Sequence, residues 1–302
     1  MNNLLHLLEV HGPMTGKEIH EETTLSIFDL WLKCNHSADI VLQTVGTKYL
    51  RLDRYVEGFA RLSPSIIREF CSYSVVGLKS RSEEAKTKAD RLLQSIIRIS
   101  RNKFELARTI MEEVIESQDN PQAVQEKACF LIAGDVVYEM AHHEPRPESS
   151  TGKIVNGSDL DILVIYNDLA EEIIESLDSA IYRKKFYLLN NPSYKEEIDY
   201  VIKDLPKVDR QLEFEGFESM VASKNLEESK FLCGNHALFL DIKKMVSKRG
   251  IPDRITVLKE RAYRERENAR RQLLTSEDAV NDKQMRQLLF TTDEREEFYN
   301  PY

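Results

Sequence analysis

The run Gly157-Ser158-Asp159-Leu160-Asp161-Ile162-Leu163-Val164-Ile165-Tyr166 constrains the fold more than any other stretch of this chain. Its unbroken series of apolar, largely β-branched residues reads as a buried strand. Side chains alternate across a strand, so Asp159 and Asp161 point to one side. Two adjacent carboxylates repel, and each is costly to bury without a partner. A cation between them relieves both costs, and hard oxygen donors suit Mg²⁺ or Mn²⁺. An Asp-x-Asp at a strand start also serves as a turn or a solvated edge. The flanking segments weigh the two readings.

Upstream, Ala128-Cys129-Phe130-Leu131-Ile132-Ala133 predicts a short buried strand that ends at Gly134-Asp135, with a helix starting over 136–141. A strand, a glycine turn and a helix N-terminus present backbone N–H groups to phosphate. Downstream, Glu197-Ile198-Asp199-Tyr200-Val201-Ile202 predicts another strand with one acid inside it. Three carboxylates on neighbouring strands can hold two metals about 3.5–4 Å apart, the spacing used for in-line phosphoryl displacement. Asp159 and Asp161 would then ligate metal. Asp199 would ligate the second ion and draw the proton from an attacking hydroxyl.

This order of strand, glycine turn, Asp-x-Asp strand and single-Asp strand resembles the DNA polymerase β-like nucleotidyltransferase superfamily. The matching residues are Gly134 and Asp135, then Asp159 and Asp161, then Asp199. The resemblance covers roughly 127–204, and more weakly the helical region beyond. It implies transfer of NMP from an NTP to a hydroxyl on a protein, a nucleic acid, a small molecule or another nucleotide, with Mg²⁺ or Mn²⁺ as cofactor. It also implies that Asp159, Asp161 and Asp199 are the catalytic and metal-binding residues, and that Gly134, Asp135 and Ser158 lie beside the nucleotide. Lys230, Lys243 and Lys244 would reach its phosphates.

The chain departs from the family pattern in two ways. Asp135 stands where the family has a Gly or Ser that grips a phosphate. The gap from Gly134 to Asp159 is longer than usual and contains His142-His143-Glu144-Pro145-Arg146-Pro147, a proline-broken loop. Asp135 supports a second reading, a catalytically weak or inactive nucleotide-sensing regulator that uses its N-terminal module for DNA or protein binding. The adjacent His142 and His143 could ligate a metal. On a helix end, however, they would point about 100° apart, so a solvated helix terminus is preferred.

That N-terminal module resembles a winged helix-turn-helix. Helices are expected from Leu4 to near Gly12-Pro13, over 16–22 with Thr15 as N-cap, and over 25–35 with Ile27, Leu30, Trp31 and Cys34 facing inward. A hairpin is expected from 40–45 and 48–52 around Gly46-Thr47. The third helix carries only Lys33 as a base, poor equipment for DNA. The hairpin offers Lys48 and Arg51.

The expected fold is α+β: a winged-helix module over 1–75, a helical connector over 76–126, a nucleotidyltransferase-type mixed sheet with helices over 127–215, and a helical C-terminal region over 216–302. In that last region, helices are expected over 231–246, 252–274 and 279–289, followed by an acidic tail over 291–302. The net charge of −9 argues against electrostatic nucleic-acid binding by the chain as a whole. The segment 243–271 is nevertheless basic, and includes Arg261, Arg264 and Arg266. It reads either as a solvated helix face or as a polyanion contact, which would make nucleic acid the acceptor.

Four scattered cysteines, Cys34, Cys71, Cys129 and Cys233, form no metal or disulfide pattern and suit a reducing cytoplasm. No apolar run approaches the roughly 20 residues that cross a bilayer, so no membrane partner is expected. The N-terminus does not read as a secretory signal. A homo-oligomer stays open. By analogy of fold alone, the pairing of such domains suits bacterial stress, toxin–antitoxin or anti-phage signalling.

Overall fold

In a computed structural model that describes residues 2–148, 150–276 and 281–291, Leu4 and Leu8 lie one turn apart and bury one face of α1 (Asn2–His11). β1 (Met14–Thr15) leads into α2 (Gly16–Glu21). Thr15 is the expected N-cap, and Glu18 makes the cap reciprocal: Glu18 N donates to Thr15 Oγ1 at 3.2 Å, and Thr15 N donates to Glu18 Oε2 at 2.7 Å. α3 (Ile27–His36) buries Ile27, Leu30, Trp31 and Cys34, the inner face expected from their period. β2 (Ile40–Thr44), β3 (Tyr49–Leu52), β4 (Ala60–Ser63), α4 (Ile66–Tyr73) and β5 (Ser74–Leu78) follow.

The expected hairpin is corrected here. β2 and β3 are strands, but they do not pair with each other. β2 lies antiparallel to β5, in a sheet of order β1-β5-β2, and β3 pairs with β4. β5 is buried along its whole length, so its backbone must find ladders on both sides. Val45 N extends the β2–β5 ladder by donating to Tyr73 O at 2.9 Å.

Most of the expected helical connector is one helix, α5 (Ser82–Glu116), of 35 residues. α6 (Pro121–Lys127) starts on an Asn120 cap with Pro in its first turn. β6 (Ala128–Ala133) is wholly buried, as its apolar run predicts.

After β6 comes a second correction. No α-helix follows. Gly134–Val136 is a single 3₁₀ turn, and the chain leaves it through Glu139 in the left-handed region at φ 56°. His142 and His143 therefore lie in coil, not on a helix end. The loop beyond carries a small antiparallel pair, β7 (Pro145–Pro147) with β8 (Ile154–Asn156).

β9 (Leu160–Tyr166), α7 (Glu171–Asn190), β10 (Ile198–Asp204), α8 (Leu205–Gln211) and α9 (Gly216–Glu228) come next. Residues 230–234 form a strand, β11 (Lys230–Gly234), where sequence periodicity predicts the start of a helix. The open edge of β6 captures them in antiparallel register. Asn235 then caps α10 (His236–Lys248) through its side chain. The four-stranded sheet has the order β10-β9-β6-β11, with β9 and β10 parallel and β6 antiparallel to both its neighbours. α11 (Ile251–Thr275) and α12 (Lys283–Leu289) complete the described elements. Residues 279–280 of the last expected helix, and 292–302 of the expected acidic tail, lie outside the described residues.

The chain forms two compact units. One combines Met1–Ser95 with Val257–Tyr302, and the other is Ile96–Thr256. The C-terminal region read as one piece over 216–302 is thus shared between them. In the first unit, Ala269, Leu273 and Leu288 enter the same core as Leu8, Ile27 and Trp31. In the second, Phe130, Ile132, Leu160, Ile162 and Val164 from the sheet pack with Met111 and Val114 of α5 and Leu177 and Ile181 of α7. Among the described residues, no helix is long and apolar enough to cross a membrane.

Candidate functional site at the head of the mixed sheet

β9 and β10 run parallel with Asp161 opposite Asp199. Register partners on parallel strands project to one face, and Asp159 lies two residues before Asp161 with the same parity. The three carboxylates expected from sequence therefore lie on one face at one end of the sheet. The same end holds the Gly134 turn, because Ala133 is the register partner of Asp161. Gly134 has φ 73°, and a Cβ there would collide with the Asp161 carboxylate. Only glycine suits that position.

Asp199 reaches solvent, yet protein crowds its carboxyl. That crowding, and then the negative charge of Asp159, pushes its pKa above the ordinary carboxylate value. Among the described residues, no group of three or more His, Cys, Asp or Glu side chains is gathered as a metal cage. The donor chemistry and shared face of Asp159, Asp161 and Asp199 still fit a hard divalent ion.

Two cations that sequence reasoning missed sit beside these acids. Arg146, on β7, places Nη2 at 2.8 Å from Glu197 and at 3.9 Å from Asp159, and its Nε donates to Gly157 O at 2.7 Å. The long loop thus returns a guanidinium to the strand heads. Lys103, on α5, is 2% exposed. Its Nζ donates to Asn156 O at 2.8 Å and to Ser158 O at 2.7 Å, and pairs with buried Glu196. Burial pushes Lys103 down and Glu196 up. No local pattern announces either cation, since each acts through residues tens of positions away.

The Gly134 turn differs most from expectation. Gly134 N donates to Glu228 Oε1 at 3.0 Å, and Glu228 also accepts from Tyr138 Oη and pairs with Lys224. An internal carboxylate thus stands where a phosphate oxygen was expected. Asp135 accepts from Ser158 Oγ at 2.8 Å, and the same hydroxyl accepts from His142 N at 3.2 Å. Ser158 is buried and ties the turn to the loop.

The lysines expected on the phosphates do not gather there. Lys230 is exposed on β11, at the sheet edge away from β10. Lys243 donates to Leu226 O at 2.7 Å and to Glu227 O at 2.6 Å, so it caps the C-terminus of α9. Burial pushes its pKa down to about 8. Lys244 is exposed and pairs with Asp241.

In the first unit, Lys48 pairs with Glu69 at 2.9 Å, Arg51 and Arg264 are exposed, and Arg261 lies against Gly58 with Glu57 at 4.0 Å. Arg266, from the same basic run, is 3% exposed. It donates to Pro64 O at 2.8 Å and pairs with Glu69 at 3.3 Å, so it is an internal tie and neither a solvated face nor a polyanion contact. All four cysteines are free and buried.

No family model matches the chain, and no match was found among curated proteins.

Proposed function

We propose that this protein is a metal-dependent nucleotidyltransferase that moves NMP from an NTP to an acceptor hydroxyl. One observation carries the reading: the parallel register sets Asp161 beside Asp199, with Asp159 on the same face. Asp159, Asp161 and Asp199 would hold Mg²⁺ or Mn²⁺. Such an ion, when bound, supplies positive charge to neutralise phosphate oxygens and orient the acceptor. The raised pKa of Asp199 suits it to take the proton of the acceptor hydroxyl. The hydroxyl oxygen forms a bond to the α-phosphorus, the bond from that phosphorus to its β-bridging oxygen breaks, and pyrophosphate leaves. Arg146 and Lys103 hold the loop from which Asp159 projects, so the carboxylate is positioned before substrate arrives. The free, buried thiols accord with a reducing compartment such as the cytoplasm.

The test is incubation with each α-labelled NTP and Mg²⁺ or Mn²⁺, beside an Asp159→Ala, Asp161→Ala double variant. Labelled product or pyrophosphate from the wild type alone is expected. Equal product from both proteins, or none from either, overturns the reading. A second reading, a nucleotide-sensing regulator without turnover, draws on the Glu228 carboxylate at the Gly134 N–H and the anionic Asp135. NTP binding with no product would favour it.

A further inference from the structure

A cleft of about 500 Å³ opens on one side of β10 and ends at Asp199. Its floor is Asp199, Val201 and Lys203 with Leu163 of β9. Its wall comes from Lys207 and Gln211 of α8 and Phe217, Glu218 and Val221 of α9. The volume lies within the range of small-molecule sites. Two of its polar groups are uncompensated. Lys203 is 8% exposed, and neither a hydrogen bond nor an ion pair holds its ammonium among the described residues. Its electrostatic neighbour is Lys207, another cation. The buried side-chain carbonyl of Gln211 also has no hydrogen-bond partner.

A buried ammonium without a counter-charge is costly, and a second ammonium nearby adds to the cost. Burial followed by the charge of Lys207 pushes Lys203 down to about 8. Every other nearly buried cation described above has a compensating partner: Glu196 for Lys103, Glu69 for Arg266, Glu228 for Lys224. Lys203 differs because neither carboxylate that lines the cleft, Asp199 or Glu218, pairs with it.

We propose that this cleft binds the phosphate chain of a phosphorylated nucleoside through Lys203 and Lys207, with the apolar wall at Phe217 and Val221 taking the rest of the molecule. Lys203 has the same strand parity as Asp199 and follows it by four residues, about 13 Å along the strand. A ligand lying along that line has one end at the carboxylates and the other at the lysines. With the Gly134 N–H already engaged by Glu228, the cleft supplies the phosphate contacts that the turn does not. The link to transfer rests on the proposed transferase reading; the binding itself does not.

The experiment is calorimetry on the full chain in EDTA, with ATP, GTP, CTP, UTP, inorganic tripolyphosphate and adenosine as separate probes. Lys203→Met and Lys207→Met are compared with the wild type. Triphosphate-bearing probes are expected to bind the wild type, with about a tenfold or greater loss of affinity for each lysine removed. Lys203→Met keeps the apolar stem and removes the buried charge, so the unliganded variant should melt at a temperature equal to or above the wild type's, which separates lost binding from lost folding. Tripolyphosphate binding that needs both lysines supports the phosphate site. Binding unchanged in the double lysine variant, binding of adenosine as tight as that of ATP, or no binding by any probe overturns it. Binding with no labelled product in the turnover assay defeats the transferase reading alone. Turnover with an unchanged KM in the double lysine variant defeats the cleft alone.

Discussion

Lys103 in the second unit and Arg266 in the first are both nearly inaccessible cations, and each donates to backbone carbonyl groups at or just beyond a strand end. Lys103 satisfies two carbonyls and pairs with Glu196, which is itself buried. Arg266 satisfies one, and shares Glu69 with Lys48. The physics is the same, with orphan carbonyls and a buried acid compensated by one cation. The consequences differ by location. Lys103 fixes the segment from which Asp159 enters the sheet, whereas Arg266 ties α11 to the Pro64 turn and α4. A buried cation is thus neither a functional mark nor a structural one by type; its partners decide which.

Substitution can break this comparison. Lys103→Met leaves Glu196 and two carbonyls inside without their cation. It should cost about 3–5 kcal/mol in denaturant unfolding, because removing one partner strands the other. Adding Glu196→Gln should recover part of the loss. A cost under about 1 kcal/mol would show that the pair merely breaks even with an apolar replacement. Arg266→Met should cost less, about 2–3 kcal/mol, since Glu69 keeps Lys48. If the comparison holds, the Lys103 change also depresses NTP turnover in the remaining folded protein and the Arg266 change does not. Equal effects on turnover would erase the distinction drawn here.

Lys243→Met sharpens the comparison at a site of intermediate burial. Loss of its two bonds to the end of α9 should cost about 1–2 kcal/mol. Its folded pKa of about 8 lies below the ordinary lysine value near 10.4. Between those values the unfolded chain holds a proton that the folded chain lacks, so wild-type stability should rise with pH through that window. The slope should flatten in the variant, and an unchanged slope would assign the pH dependence to other groups. Ser158→Ala is the smallest expected effect, about 1 kcal/mol. It removes the hydroxyl that joins Asp135 to His142 N, and its effect should appear in thermal melting.

Legibility in the sequence followed the range of the interaction. The β6 run is continuously apolar, β9 is so from Ile162 onward, and the helix at Thr15 carries its cap within three residues, so local reading found them. β11 and the β2–β5 pairing failed because a strand is completed by a partner far along the chain, and Phe231-Leu232-Cys233 satisfies helix and strand patterns alike. The helix expected after Gly134 failed because Glu139 turns left-handed one turn later. The three acids were found because their spacing and parity are local. Arg146, Lys103 and Glu228 were not, because nothing adjacent to them in sequence marks them. Lys203 carried a signal that could have been read, a lysine inside a strand with the parity of Asp199.

By itself, then, the sequence determined where β6, β9 and β10 run and that Asp159, Asp161 and Asp199 could share a face. Alternation and hydrophobic runs act within a few residues, and no partner is needed to express them. Only the tertiary structure decided which charges compensate those acids, that Glu228 occupies the Gly134 turn, and that Lys203 faces an open cleft. Coulombic and hydrogen-bond partners are set by distance in space, which chain separation does not encode.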